Sequence, residues 1–267
     1  MGIADDILNH PEAALAALAF QIELGAVEAI GDSPVNRYAG ALKPAVLKRP
    51  LGVEAGKSEA AKGERRDPVA VARHAAAAAM DLPALRDSIA AFELCELKKG
   101  ARTTVFANGN PMARVMILGD APGREEDHAG LPFVGDAGQL LDRMFASIGL
   151  SRTNPNPATA IYITNVLPWR PPQNREPSPE EIAMLLPFVE RHIALAAPEV
   201  IVVMGNTPCQ ALLGKSGILR LRGQWTEALG RQVLPMTHPA YLLRTPAAKR
   251  EAWADLLALQ DRLGPAP

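Results

Sequence analysis

Thiols are scarce in this chain. Cys95 and Cys209 are the only cysteines in 267 residues, which excludes a disulfide framework and any metal site that needs four thiolates from one chain. Both read as buried free thiols of a reducing cytoplasm. Long apolar runs are missing as well: none reaches the roughly 18 residues that span a bilayer. The opening stretch MGIADDILNH lacks the basic-then-apolar order of a secretory signal. A soluble, cytoplasmic protein with no membrane contact is expected. Nor is there a surplus of positive charge. Lys+Arg 28 against Asp+Glu 29 leaves a formal net charge of -1, so a nucleic-acid surface has to come from local clustering.

What the chain does have is apolar content, 48%, enough for a proper core. Residues 11–30 are Ala- and Leu-rich with helical spacing. Residues 31–67 mix Pro, Gly, Lys and Glu with few large apolar groups. They read as a flexible linker, either a solvated tether or a weak, non-specific hold on DNA phosphate. Asp67-Pro68 opens a helix signal with an N-cap and a first-turn proline, and a second runs over 82–93. Short runs rich in β-branched residues then alternate with helical stretches. Strands are expected at 114–118, 160–164, 200–204 and 232–236, and helices at 137–148, 178–196, 207–213 and 246–263. This alternation predicts an α/β fold with a parallel sheet covered by helices on both faces. The expected division is an N-terminal helical and flexible extension, 1–84, and a main domain, 85–267.

Ligands of such sheets sit beyond the carboxyl ends of the strands. After the first strand come Gly119, Asp120 and Ala121, then a Gly-rich loop with neither a GxxxxGK[ST] nor a GxGxxG signature. A carboxylate there can orient water or stabilise a cationic sugar. After the second strand comes Asn165, whose amide either serves a turn or reads one edge of a pyrimidine. The stiff stretch Arg170-Pro-Pro-Gln-Asn174-Arg175 follows, suited to phosphates. The third strand leads into Gly205-Asn206-Thr207-Pro208, which reads as a plain helix cap. After the fourth come His238 and Pro239, then Leu242, Leu243 and Arg244. The two leucines are either core or an apolar wedge for a base stack, with Arg244 on the backbone. Residues 211–250 carry seven basic groups and one acid, Glu227, a pattern that favours a phosphate-tracking face over a merely solvated one.

Three segments, GDAPGREEDHAGLPFVGDAGQLLDRM, IYITNVLPWRPPQNREPSPEE and THPAYLLR, resemble in order the motifs of the family 4 uracil-DNA glycosylases, over roughly residues 92–262. The resemblance implies a three-layer α/β/α fold around a central four-stranded parallel sheet, and hydrolysis of the N-glycosidic bond of deoxyuridine in DNA, leaving an abasic site. Carried over by position, Asp120 falls where the family usually has Glu. Glu126 falls on an acid near the base pocket, and Phe133 on the aromatic residue that stacks on the flipped base. Asn165 falls on the residue that reads the uracil edge, and His238 on the histidine of the third motif. The loop after it falls on the DNA-penetrating segment.

Two departures carry consequences. The resemblance implies a [4Fe–4S] cluster on four cysteines, but only Cys95 lies in a segment like the first ligand stretch. Trp169 and Leu185 stand where two others are expected, so neither a cluster nor any other cofactor or metal is expected. Asp120 is one methylene shorter than Glu, which sets its carboxylate back by roughly 1.5 Å. That change admits activity on other deaminated bases, such as hypoxanthine or xanthine, or a weakened reaction. It also admits the main alternative, a protein that recognises abasic or damaged DNA without turnover. A nucleotide-binding enzyme is a remoter alternative, since the phosphate-loop signatures are missing. The expected partner is DNA containing uracil or another deaminated base, bound by a monomer.

Overall fold

The side chain of Asp67 accepts from Val69 N (3.0 Å) and caps α1 (Pro68–Ala78). The computed structural model describes residues 67–264. The helix expected within 11–30, and the linker over 31–67 apart from Asp67, lie outside them. Asp81 caps α2 (Leu82–Ala91) in the same way, through Ala84 N at 2.8 Å. A single turn, α3 (Leu97–Gly100), leads to β1 (Ala107–Gly109) and β2 (Val115–Gly119). Next come α4 (Arg124–Ala129), α5 (Asp136–Ala146) and β3 (Ile161–Asn165). A 3₁₀ turn at Pro172–Asn174 precedes α6 (Pro179–Ala196), which starts with a reciprocal capping box between Ser178 and Glu181. The rest of the chain forms β4 (Val200–Met204), α7 (Asn206–Leu213), α8 (Ile218–Leu221), β5 (Thr226–Ala228), β6 (Arg231–Met236), α9 (Pro239–Arg244) and α10 (Lys249–Leu263).

The sheet order is β1-β3-β2-β4-β6-β5. Its four central strands are parallel, as expected. Two short antiparallel strands, β1 against β3 and β5 against β6, extend it to six. Neither edge strand was foreseen, because three residues carry no readable alternation. Residues on the central strands alternate between two buried layers. Met116, Leu118, Tyr162, Ile201 and Val203 face α1, α2, α6 and α7. Val115, Ile117, Ile163, Val202 and Leu234 face α5 and α10. Three layers result, with β2, β3 and β4 buried on both sides.

The main body starts earlier than residue 85. Helices α1 and α2 pack on α6, burying Ala72, Ala76, Leu85 and Ile89 in the same core as the sheet. Arg191 of α6 donates to Ala79 O from Nε (2.9 Å) and from an Nη (2.7 Å), closing the end of α1. Among the described residues, the compact unit takes in α1 and α2. An apolar helical face needs a partner layer, and α6 supplies it.

The chain runs from β2 out to β3, then back past β2 to β4. The crevice beyond β2 is therefore the point where strand order reverses, the preferred ligand position in open α/β sheets. Register brings the strand ends level there: Gly119 pairs with Asn165, and Met204 with Met236. Among the described residues, no helix is long and apolar enough to cross a membrane.

Candidate active site

Beyond these strand ends lies a half-open cavity of about 630 Å³. Asp120, Ala121 and Glu126 form one part of its wall, Phe133 and Asn165 another, and His238 and Arg244 a third. An acid, an amide and an imidazole from three separate chain crossings thus face one space. Gly119 lies under the wall. A Cβ there would stand 2.5 Å from both Asn165 Oδ1 and Phe133 Cε2, so only glycine lets those two groups close over the strand end.

Asn165 is 7% exposed, and its Oδ1 is buried with no hydrogen-bond partner. A buried acceptor left unpaired costs about 1–3 kcal/mol, a cost that a bound donor would remove. Thr237 Oγ1, beside His238 on the same cavity, is likewise buried and unpaired. Phe133 is held at φ 54, a left-handed backbone that a large side chain rarely adopts. Arg152 fixes it, donating to the carbonyls of Pro132 (3.0 Å) and Phe133 (2.9 Å) while its Nε bonds Asp142 (2.7 Å). The Phe133 ring lies over the His238 ring, centroids 5.3 Å apart and planes 28° from parallel.

His238 accepts from Ala240 N through Nδ1 (3.1 Å). Burial, reinforced by the charge of Arg244 and opposed by that of Glu126, lowers its pKa from 6.5 to about 4. At neutral pH the ring is uncharged. With Nδ1 accepting, its single proton sits on Nε2, which makes that atom a donor. Asp120 moves the other way. Burial pushes its carboxyl up from 3.8 to about 6, helped by the charge of Glu176 and resisted by hydrogen bonds from Thr207. Thr207 N donates to Asp120 Oδ1 at 3.2 Å.

Several expected site residues sit differently. The carboxylate of Glu126 accepts from Gly123 N (3.1 Å), Val134 N (2.9 Å) and Gly135 N (3.0 Å), so it braces the loop that carries Phe133. Leu242 is fully buried with Leu140 and Ala252. It is core, because the short α9 turns that face onto α5. Pro239 is buried in the first turn of α9. Leu243 is 41% exposed and Arg244 exposed, so these two are left to meet a ligand. Asn174 and Arg175 line the cavity, whereas Arg170 does not. The guanidinium of Arg175 is committed to Glu181 through two bonds (2.9 and 2.6 Å), and Arg170 Nε bonds Asn174 Oδ1 (2.8 Å). Arg222 is tied to buried Asp255, while Lys215, Arg220, Lys249 and Arg250 remain exposed.

Other wall residues escaped the sequence reading: Gly205 and Thr207 at the start of α7, and Ile218 and Leu219 on α8. Gly205-Asn206-Thr207 did follow a strand, which was the available signal, yet it read as an ordinary cap.

Residues 106–257 match the sequence profile described as the uracil DNA glycosylase superfamily. The chain is similar to the type-4 uracil-DNA glycosylase of Archaeoglobus fulgidus, 37% identical over 179 residues, covering 64% of this chain and 87% of that protein. It is 39% identical over 153 residues to the type-4 uracil-DNA glycosylase of Thermotoga maritima, covering 56% and 77%. It also matches the type-5 uracil-DNA glycosylase of Thermus thermophilus, 33% identical over 121 residues, covering 41% and 54%.

Proposed function

This chain belongs to the uracil DNA glycosylase superfamily, and on that premise we propose that it excises uracil from DNA by hydrolysing the N-glycosidic bond, starting base repair, with the type-4 enzymes as its nearer kin. The observation that carries the reading is the unpaired, buried Oδ1 of Asn165, set in one cavity with Asp120 and a neutral His238.

A base inside a duplex cannot reach such a cavity, so the target nucleotide is turned out of the stack. Phe133 stacks on the base. Asn165 Oδ1 accepts from uracil N3–H, and its amide nitrogen donates to O4. Cytosine presents a lone pair where uracil has that N–H, so the buried oxygen repels it. As the C1′–N1 bond breaks, its electron pair goes to the base and positive charge grows on the sugar. The Nε2–H of His238 donates to uracil O2, and the Asp120 carboxylate stabilises the sugar and orients a water molecule that adds to C1′. Free uracil and an abasic site result. Leu243 fills the vacated stack, and Arg244, with the exposed basic groups of 211–250, holds the phosphates.

Hypoxanthine and xanthine also present an N–H beside a carbonyl, so the same amide reads them, and we extend the substrate range to them. Oligonucleotides carrying one uracil, hypoxanthine, xanthine or thymine mismatch test this directly. Alkali-labile sites at uracil and at the two purines are the expected result. A shifted band without any such site identifies a protein that binds and does not turn over.

The [4Fe–4S] cluster implied by the resemblance does not fit these residues. Trp169 and Leu185, each 1% exposed, fill the positions of two ligands, in one apolar core with Cys95. Burial raises the Cys95 thiol above its usual range, opposite to what a ligating thiolate needs. Cys209 lies on α7. We assign no cofactor or metal, and purified protein should lack the visible absorption of an iron–sulfur centre. The two free buried thiols suit a reducing cytoplasm. The proposed site is complete within one chain, which is compatible with action as a monomer.

A further inference from the structure

The proposed chemistry needs Asp120 ionised, yet the carboxylate is buried. We propose that Thr207, at the turn into α7, is a positioning residue that holds the Asp120 carboxylate in place and in its charged form. This rests on the reading of Asp120 as the acting acid.

Neighbouring strands β2 and β4 pair Leu118 with Val203, so Asp120 and Gly205 emerge side by side, each two residues further on. Gly205 has φ +108, and a Cβ there would stand 2.7 and 2.8 Å from the two carboxylate oxygens. The bare backbone lets the acid lie directly against the helix start. Thr207 then places its backbone N–H 3.2 Å from Oδ1, and its side chain also works to lower the carboxyl's pKa. The positive end of the eight-residue helix α7 adds to them.

Other groups around the acid offer little help. Glu176 repels it, and Glu126, on α4, carries the same sign. Arg175 is committed to Glu181, and His238 is neutral at working pH. Arg244 reaches the cavity from α9, and the charge of Arg244 is felt by His238. On α7 itself the Cys209 thiol is pushed up to about 12 by burial and by Asp120, and so stays uncharged. Among the described residues, the Thr207 turn is the group that works against desolvation at this carboxylate.

The test is the pH profile of single-turnover uracil excision. Wild type should lose activity as pH falls through about 6. In Thr207→Val the acid limb should move to higher pH: a one-unit rise costs about fivefold at pH 6 and almost nothing at high pH. Thr207→Ser should restore the wild-type profile, and Thr207→Ala provides a second variant without the hydroxyl should Val fold poorly. An acid limb that does not move, or an equal loss at every pH, overturns the proposal. Asp120→Asn separates the two readings. If that variant cleaves at the wild-type rate, the role of Asp120 itself is wrong. If it is inactive while Thr207→Val keeps the wild-type limb, only the positioning role fails.

Discussion

Asn165 and Trp169 are four residues apart at the exit of β3, yet they belong to opposite kinds of environment. Asn165 Oδ1 is buried and unpaired at the cavity wall. Trp169 is just as buried, but its Nε1 donates to Thr104 Oγ1 (3.1 Å) and its ring joins Leu185, Phe188 and Cys95 in a continuous core. The flank around Trp169 meets the ordinary rule that buried polar groups find partners. The cavity breaks it at Asn165 and Thr237, and it holds Phe133 at an unfavourable φ. Departures of this kind collect where a ligand supplies the missing partner. On the proposed reading, the contrast separates residues that stabilise the fold from residues kept for a substrate.

The sharpest way to break the contrast is to exchange the effects. Trp169→Ala should destabilise the protein by about 3–5 kcal/mol through the cavity it leaves, with excision per folded molecule largely kept. Urea unfolding and an active-site titration measure the two. If activity vanished while stability held, the flank would be part of the site. Asp120→Asn and His238→Ala should each slow single-turnover excision by about 100-fold or more, as loss of one preorganised group does, with little loss of stability. Wild-type rates in both would defeat their assigned roles. Asn165→Ala should join them in lost excision, yet leave the urea midpoint unchanged or raised, because it deletes an unpaired acceptor.

The smallest effect concerns acid stability. His192, buried on α6, bonds Tyr162 OH (2.9 Å) and stacks on Phe106, and burial lowers its pKa from 6.5 to about 3. His238 is lowered to about 4. For both, the unfolded chain takes up the proton first, so stability present above pH 6.5 is lost as pH falls towards 4. Asp120, raised from 3.8 to about 6, binds its proton more tightly when folded and opposes that loss over the same window. Asp120→Asn removes the opposing part, so its urea midpoint should fall more steeply than that of the wild type between pH 6.5 and 4. Parallel curves would contradict the raised value at Asp120.

Much of this was legible in the chain. The parallel strands were marked by apolar runs, VIVVM at 200–204 being the clearest, because a strand buried on both faces, as β4 is, must be apolar throughout. The rule that ligands sit beyond strand ends then pointed to Asp120, Asn165 and His238. Less legible were the fates of neighbours. Leu242 and Leu243 look alike in sequence, but one is core and the other exposed. Arg170 and Arg175 looked equally available for phosphate, but each carries a bond within its own segment. The Gly205-Asn206-Thr207 turn looked like any helix start until Asp120 was found against it.

The sequence by itself determined the alternation of strands and helices, the small number of thiols and the identity of the groups leaving each strand. These follow from local pattern and composition, which need no partner to be read. Tertiary structure alone decided which leucine is exposed and which is core, which arginines are tied within the fold, and how far an acid's proton affinity is raised. Those outcomes depend on burial and on charges brought close by residues distant along the chain, and no local stretch carries that information.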